Sequence, residues 1–161
     1  MTQSIRVGIG FDVHRLAAGR RLALAGVEVP SPVGPVAHSD GDVALHAVAD
    51  AALGAAGLGD LGDFFSDTDP VWEGADSARI LALALAKVHK AGWRPTSADV
   101  NLLLEHPKLG PLKEKMRRRL AELLNVEADA VGLKARTCEG LGPVGEGEAV
   151  AAQAVVVLVH V

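Results

Sequence analysis

The sequence predicts an α/β fold of the α+β type: a single domain, residues 1–161, with a mixed β-sheet and helices packed on one face. Three observations lead there. Two helical stretches each follow an aspartate and stop at a glycine. The elements run in the order β-β-α-α-β-α-β-β. The last run, Ala149 to Val161, is apolar almost throughout, which predicts a strand buried on both faces, with neighbouring subunits as a candidate cover.

Ile5 to His14 reads as the first strand, and Arg21 to Val29 as one or two more around Gly26. Pro30 to Pro35 holds three prolines and reads as a rigid loop, because proline fixes φ and removes a donor. Asp42 is the expected N-cap of a helix from Val43 to Ala56, stopped by Gly57. Gly59 to Glu73, with four aspartates, Phe64, Phe65 and Pro70, reads as an ordered loop. Asp76 is placed to cap a second helix reaching Ala91. Ala98 to Glu105 is a strand, and Pro111 to Leu124 a third helix with proline in its first turn. Val131 to Thr137 is a strand, and Glu139 to Gly147 a glycine-rich loop before the final strand.

At 161 residues and 49% hydrophobic, the chain is long enough for one full core and too short for two ordinary domains. Its formal charge of -4 gives no general attraction to nucleic acid or to an anionic membrane. An anionic substrate would need local cations. A lone cysteine, Cys138, leaves no internal disulfide. The N-terminal residues lack an apolar signal core, and no apolar run is long enough to span a bilayer as a helix. The expectation is a cytoplasmic protein.

Asp12 and His14 stand two apart on a strand, so their side chains share a face. His46 sits at the start of the first helix. One carboxylate and two imidazoles form a three-ligand set for zinc or a similar borderline ion. Such a set leaves one tetrahedral position open, as catalytic sites do. By itself Asp-x-His is a weak pattern. Asp50, four residues after His46, is expected to accept a hydrogen bond from its imidazole. His38 and Ser39 lie close before the same helix start, where anions are favoured. Arg136-Thr137-Cys138-Glu139 ends a strand and enters a loop. Thr137 offers a hydroxyl, and Glu139 a carboxylate able to hold magnesium together with substrate phosphates. Taken alone, that segment also reads as ordinary surface.

Other motifs fail on inspection. Gly140-Leu141-Gly142-Pro143-Val144-Gly145 matches the dinucleotide-binding pattern, but Pro143 interrupts it and a strand follows. Asp60, Asp63, Asp67 and Asp69 are no EF-hand, since the positions that need glycine and glutamate hold Phe65 and Val71. The basic run Lys113 to Arg119 interleaves with Leu112, Met116, Leu120, Leu123 and Leu124, the pattern of an amphipathic core helix with a solvated face.

The longer strings carry more information. Gly10-Phe11-Asp12-Val13-His14, then His38 through His46, Gly59-Asp60, Phe65 through Pro70, Gly74 through Ser77, Pro107-Lys108, Lys134 through Glu139 and Leu141-Gly142 run in order over nearly the whole chain. With them the chain resembles the 2-C-methyl-D-erythritol 2,4-cyclodiphosphate synthase family of non-mevalonate isoprenoid biosynthesis. The resemblance implies a homotrimer with active sites between subunits. It implies metal-assisted cyclisation of 4-diphosphocytidyl-2-C-methyl-D-erythritol 2-phosphate to the cyclic diphosphate with release of CMP. It places a zinc-type ion (Zn, Mn or Co) on Asp12, His14 and His46. A second ion, Mg or Mn, would bridge the diphosphate from Glu139. His38 and Thr137 would stabilise the transition state. Substrate would also meet Val13, Ser39, Asp60, Leu61 and Gly62, and Phe65, Ser66, Asp67, Thr68 and Asp69. The cytidine pocket would draw on Leu104, Glu105, His106, Pro107, Lys108, Leu109 and Gly110, with Arg136, and substrate would also meet Thr137, Cys138 and Glu139.

Some positions depart from the family pattern. After Leu141-Gly142 this chain has Pro143 and Glu146, where many relatives carry Phe and Arg facing a trimer-axis cavity that can hold prenyl diphosphates. Arg136 stands where a threonine is common. Replacing a cation by Glu146 predicts weak or absent response to geranyl diphosphate in a ligand titration; tight, saturable binding would contradict it.

Overall fold

The architecture is that of a computed structural model describing residues 4–161. Five strands form one mixed sheet in the order β4-β1-β7-β5-β6. These are β1 (Ile5–Ala18), β4 (Val33–Pro35), β5 (Trp93–Leu103), β6 (Val131–Arg136) and β7 (Ala149–His160). Strand β7 runs antiparallel to both β1 and β5, while β5 and β6 are parallel. The C-terminal ends of β1, β5 and β6 therefore lie at one end of the sheet. A separate hairpin, β2 (Leu22–Leu24) with β3 (Val27–Val29), turns at Ala25-Gly26. Both turn residues have positive φ, 52° and 72°, as a tight two-residue hairpin turn requires.

Three long helices form the second layer: α1 (Val43–Ala56), α2 (Ser77–Lys90) and α3 (Lys113–Leu124). Asp42 caps α1 by accepting from Leu45 N–H at 3.1 Å, and Gly57, at φ 74°, ends it. Asp76 caps α2 at Ala78 N–H. Asn125, at φ 54°, stops α3. Such a carboxylate cap is worth about 1 kcal/mol.

Buried Asp42 does more than cap. Its carboxylate also accepts from Ala25 N–H at 3.0 Å and Gly26 N–H at 2.8 Å, tying the hairpin tip to the start of α1. Burial pushes its pKa up to about 6, although these backbone bonds favour the charged form.

Three sequence expectations need correction. Pro30 to Pro35 is not all loop: Val33–Pro35 pairs with Leu16–Ala18 as β4. It is an edge strand, where proline is tolerated. Strand β5 starts at Trp93, before Pro95, and a register shift between Pro95 and Ser97 absorbs the proline. The glycine-rich loop contains one helical turn, α4 (Gly142–Gly145), with Pro143 in its first turn, where proline fits. Within one chain, strand β7 is covered mainly on one face. Val150, Ala152, Ala154, Val156 and Leu158 are fully buried beneath the helices, but Gln153 and Val155 are exposed on the other face. The same face of β1 carries Ile5, Val7, Ile9, Phe11 and Val13, each 48–66% exposed.

Helix α1 packs backbone-close on β1. A Cβ on Gly8 would collide with the Ala51 carbonyl, and one on Gly10 with the Ala47 carbonyl and Ala51 N. Gly10→Ala should therefore push α1 outward and cost about 1–3 kcal/mol, read as a fall in thermal midpoint of about 2–4 °C per kcal/mol. A midpoint equal to wild type would show that the contact yields freely.

Candidate active site

Strand β1 carries Asp12 and His14 on its helix-facing side, the same side as Gly8 and Gly10. The small residues beneath α1 let its first turn come close, and His46 projects from that turn. His46 Nδ1 stands 2.9 Å from Asp12 Oδ2, and His14 Nε2 stands 3.1 Å from the same oxygen. Among the described residues these three form the cluster able to hold a metal ion, with one donor atom from each lying within 4.8 Å of the others. The His14 Nε2 atom is buried yet poorly aligned for a hydrogen bond, and it has no partner. A cation among the three donors would satisfy it. The mixed oxygen and nitrogen set suits a borderline divalent ion.

A cleft of about 500 Å³ opens at this cluster. His38, Ser39, Asp60, Leu61, Gly62, Phe65, Ser66 and Asp67 share its lining with Asp12, His14 and His46. The loop that supplies half of them is ordered by its own aspartates. Asp60 and Asp63 cap each other's backbone N–H groups across a single turn, Leu61–Asp63. Asp69 accepts from Val71 N–H. His38 Nε2 meets the Asp69 carbonyl at 3.1 Å, and Gly74 N–H donates to the His38 carbonyl.

Val13, Thr68 and Asp69 do not line the cleft. Val13 faces the opposite side of the sheet, as strand alternation demands. Asp50 does not orient His46; it accepts from Leu61 N–H at 3.0 Å and so anchors the loop. The groups on His46 Nε2 are instead Ser77 Oγ at 2.8 Å and Ser39 Oγ at 3.4 Å. Ser77 also donates to Asp40. Neither Ser77 nor Asp40 was assigned a role from sequence, and no local pattern could reveal a contact across thirty-one residues.

The sequence model of the YgbB family matches residues 5–159. The chain belongs to the YgbB family. It is 53% identical over 150 residues to a 2-C-methyl-D-erythritol 2,4-cyclodiphosphate synthase of Salinibacter ruber, covering 93% of this chain and 96% of that protein. It is 48% identical to one from Nostoc, covering 99% and 96%. A CDP-bound 2C-methyl-D-erythritol-2,4-cyclodiphosphate synthase structure matches with TM-score 0.87 at 46% identity, over 95% of this chain and 99% of that one. The bifunctional IspDF of Campylobacter jejuni matches with TM-score 0.94 at 39% identity, over 99% of this chain and 43% of the longer one.

In this YgbB-family chain the remaining candidate residues gather elsewhere. Leu104, Pro107, Lys108, Leu109, Gly110, Arg136 and Thr137 line a second cleft of about 350 Å³. It shares no lining residue with the first. Glu105, His106, Cys138 and Glu139 are outside its lining. Glu105 is occupied differently: its carboxylate accepts from Cys138 N–H at 3.0 Å and Gly140 N–H at 3.3 Å. It thereby clamps the turn in which Glu139 sits at φ 54°, a conformation costly for a residue with a Cβ.

A larger cleft, about 630 Å³, lies beside the β2–β3 hairpin and contains none of the three clustered ligands. The three-ligand cluster opens into the cleft of about 500 Å³ instead. No helix among the described residues is long and apolar enough to cross a membrane.

Electrostatics prepare the cluster for a cation. Burial works to raise the Asp12 pKa, but the adjacent His14 and His46 imidazoles outweigh it and hold the carboxyl at about 2. Burial works to lower that of His46; its hydrogen bond to Asp12, with the charges of Asp12, Asp42 and Asp40, raises it above 6.5 instead. In the metal-free protein a proton on Nδ1 occupies the place of the ion, so binding must displace it. Apparent zinc affinity should therefore fall by about tenfold per pH unit below the His46 pKa, measured by chelator competition between about pH 8 and 5.5. A flat profile would remove Nδ1 from the ligand set.

Proposed function

We infer that this chain is an enzyme of non-mevalonate isoprenoid biosynthesis, a lyase that cyclises 4-diphosphocytidyl-2-C-methyl-D-erythritol 2-phosphate to 2-C-methyl-D-erythritol 2,4-cyclodiphosphate and CMP. The observation that carries the reading is the Asp12, His14 and His46 donor set opening into a polar cleft, in a chain about half identical to synthases of that name along nearly its whole length.

The chemistry explains why no catalytic triad is present in the cleft. An oxygen of the substrate's 2-phosphate attacks the β-phosphorus. The bond from that phosphorus to the bridging oxygen breaks, and its electron pair leaves with CMP. The nucleophile is already ionised near neutral pH, because a phosphate monoester has its second pKa near about 6, and the leaving group is a phosphate. What the protein must supply is a folded substrate and relief of crowded negative charge. Holding the two ends together is worth up to about 7–11 kcal/mol. A divalent ion on Asp12, His14 and His46, zinc in our assignment with Mn or Co as substitutes, supplies Lewis-acid stabilisation of phosphate oxygens when bound. Glu139 is assigned to a Mg or Mn ion on the diphosphate, and Glu105 keeps its turn in place. His38, next to the loop through Asp69, and Thr137, at the end of β6, donate to the transferring phosphoryl group. Ser39 and the 60–67 loop enclose the erythritol phosphate. Leu104 to Gly110 and Arg136 receive the cytidine.

These roles demand that metal cleft and nucleotide cleft face one another, and within one chain they are separate. We assign the missing half to a second copy, in a homotrimer whose active sites lie between subunits. The open apolar face of β1 and β7 supports that assembly, since a stripe of five large hydrophobic residues on a monomer marks an interface.

A phosphorus NMR time course with substrate and magnesium should show CMP appearing together with the cyclic diphosphate. CMP with only linear phosphates would make the protein a hydrolase and overturn the reading. The shared site has its own test. His46→Ala and Thr137→Ala variants, each inactive, are mixed and reassembled. Sites built between subunits should regain about a quarter of wild-type activity by random pairing; a mixture with none would place each site within one chain.

A further inference from the structure

His46 engages through both ring nitrogens. Nδ1 faces Asp12 and the cluster centre, and Nε2 faces Ser77 Oγ at 2.8 Å. Ser77 is fully buried and is the first residue of α2. Its hydroxyl has one hydrogen, and that hydrogen goes to Asp40 Oδ1, because a carboxylate can only accept. Towards His46 the Ser77 oxygen must therefore accept. Nε2 must carry a hydrogen, so the hydrogen between Nδ1 and Asp12 Oδ2 is the one an incoming ion would displace, and Nδ1 is the nitrogen left to coordinate it. Asp40 is itself fixed, accepting from Ser77 N–H at 3.0 Å and Asp42 N–H at 3.1 Å. Ser39 Oγ, at 3.4 Å, is the longer contact to Nε2 and already accepts from Gly41 N–H.

We propose that Ser77, held by Asp40, is a positioning residue of the metal centre: it fixes His46 in the tautomer and ring orientation that present Nδ1 to the ion. The arrangement also ties the metal ligand to the start of α2. That helix follows directly on the 59–76 segment, whose own contacts return to the same place through Asp40 N–H on the Ala75 carbonyl and Gly74 N–H on the His38 carbonyl. The metal and the cleft loop therefore share one hydrogen-bonded anchor. Ordinary packing would not place a hydroxyl and a carboxylate in series behind the ligand; alanine would fill the space that Ser77 occupies.

The proposal rests on the metal reading above, and the experiment separates the two. Wild-type protein and Ser77→Ala are titrated with cobalt(II), followed by the visible d–d bands, and with zinc against a chelator. The expected result is tight binding by wild type and a loss of about 10–100-fold in Ser77→Ala, with altered band positions, well below the thermal midpoint of either metal-free protein. Equal affinities and superimposable spectra, whatever the change in midpoint, would make Ser77 a packing residue and overturn the proposal. Absence of binding by wild type would instead overturn the metal reading. Nitrogen-15 NMR of histidine-labelled, zinc-loaded wild type needs no variant to fold: it should show His46 protonated at Nε2 and metal-bound at Nδ1. Protonation at Nδ1 would overturn the proposal.

Discussion

Everything in the cleft depends on how near α1 can come to β1. Gly8 and Gly10 place no side chain beneath the helix, and Ala47, Ala51 and Ala55 place little above the strand. At this separation the first turn of α1 stands beside the C-terminal half of β1, and His46 meets the carboxylate of Asp12. A methyl group between the two elements would lengthen that distance at a site where donor positions matter to a few tenths of an ångström. Packing and chemistry are thus one constraint: the residues that make the core tight also set the ligand geometry.

The second organising group is a charge. Asp42 sits fully buried between the hairpin tip and the first turn of α1, with three backbone N–H groups directed at it. A buried carboxylate is costly unless its hydrogen bonds are complete, so hairpin, helix and the 38–42 segment are held in one arrangement. Asp40, two residues earlier, performs the matching service for α2. A chain with net charge -4 thereby handles a polyanionic substrate through local means. Near the cleft, Asp12 is engaged by the imidazoles, Asp40 by Ser77, and Asp50 and Asp60 by backbone donors, and cations can be held where phosphates must crowd.

Much of this was legible from sequence because it follows from periodicity and capping. Alternation along β1 put Asp12 and His14 on one face; Asp42 and Asp76 marked both helix starts; the glycine at position 57 marked an end. What failed involved competition or distance. Helix spacing placed Asp50 beside His46, but the backbone N–H of Leu61 claimed its carboxylate. Prolines hid β4 and the first part of β5, since edge pairing and a register shift tolerate what an ideal strand would not. The clamp that Glu105 places on the Cys138 and Gly140 N–H groups spans more than thirty residues and had no local signal either. The role of Ser77 had no local signature, being created only when α1 and α2 pack. The apolar run of β7 indicated burial on both faces, and the outward residues Gln153 and Val155 are uncovered in one chain.

The central claim is that this packing presents three particular atoms, Asp12 Oδ2, His14 Nε2 and His46 Nδ1, to one ion. Anomalous diffraction at the zinc edge from metal-loaded crystals tests it most directly. The account predicts a single strong peak per chain at about 2.0–2.2 Å from those three atoms, with a fourth position left to solvent or phosphate. A peak elsewhere, or one bound through the Nε2 of His46 with Ser77 displaced, would contradict it.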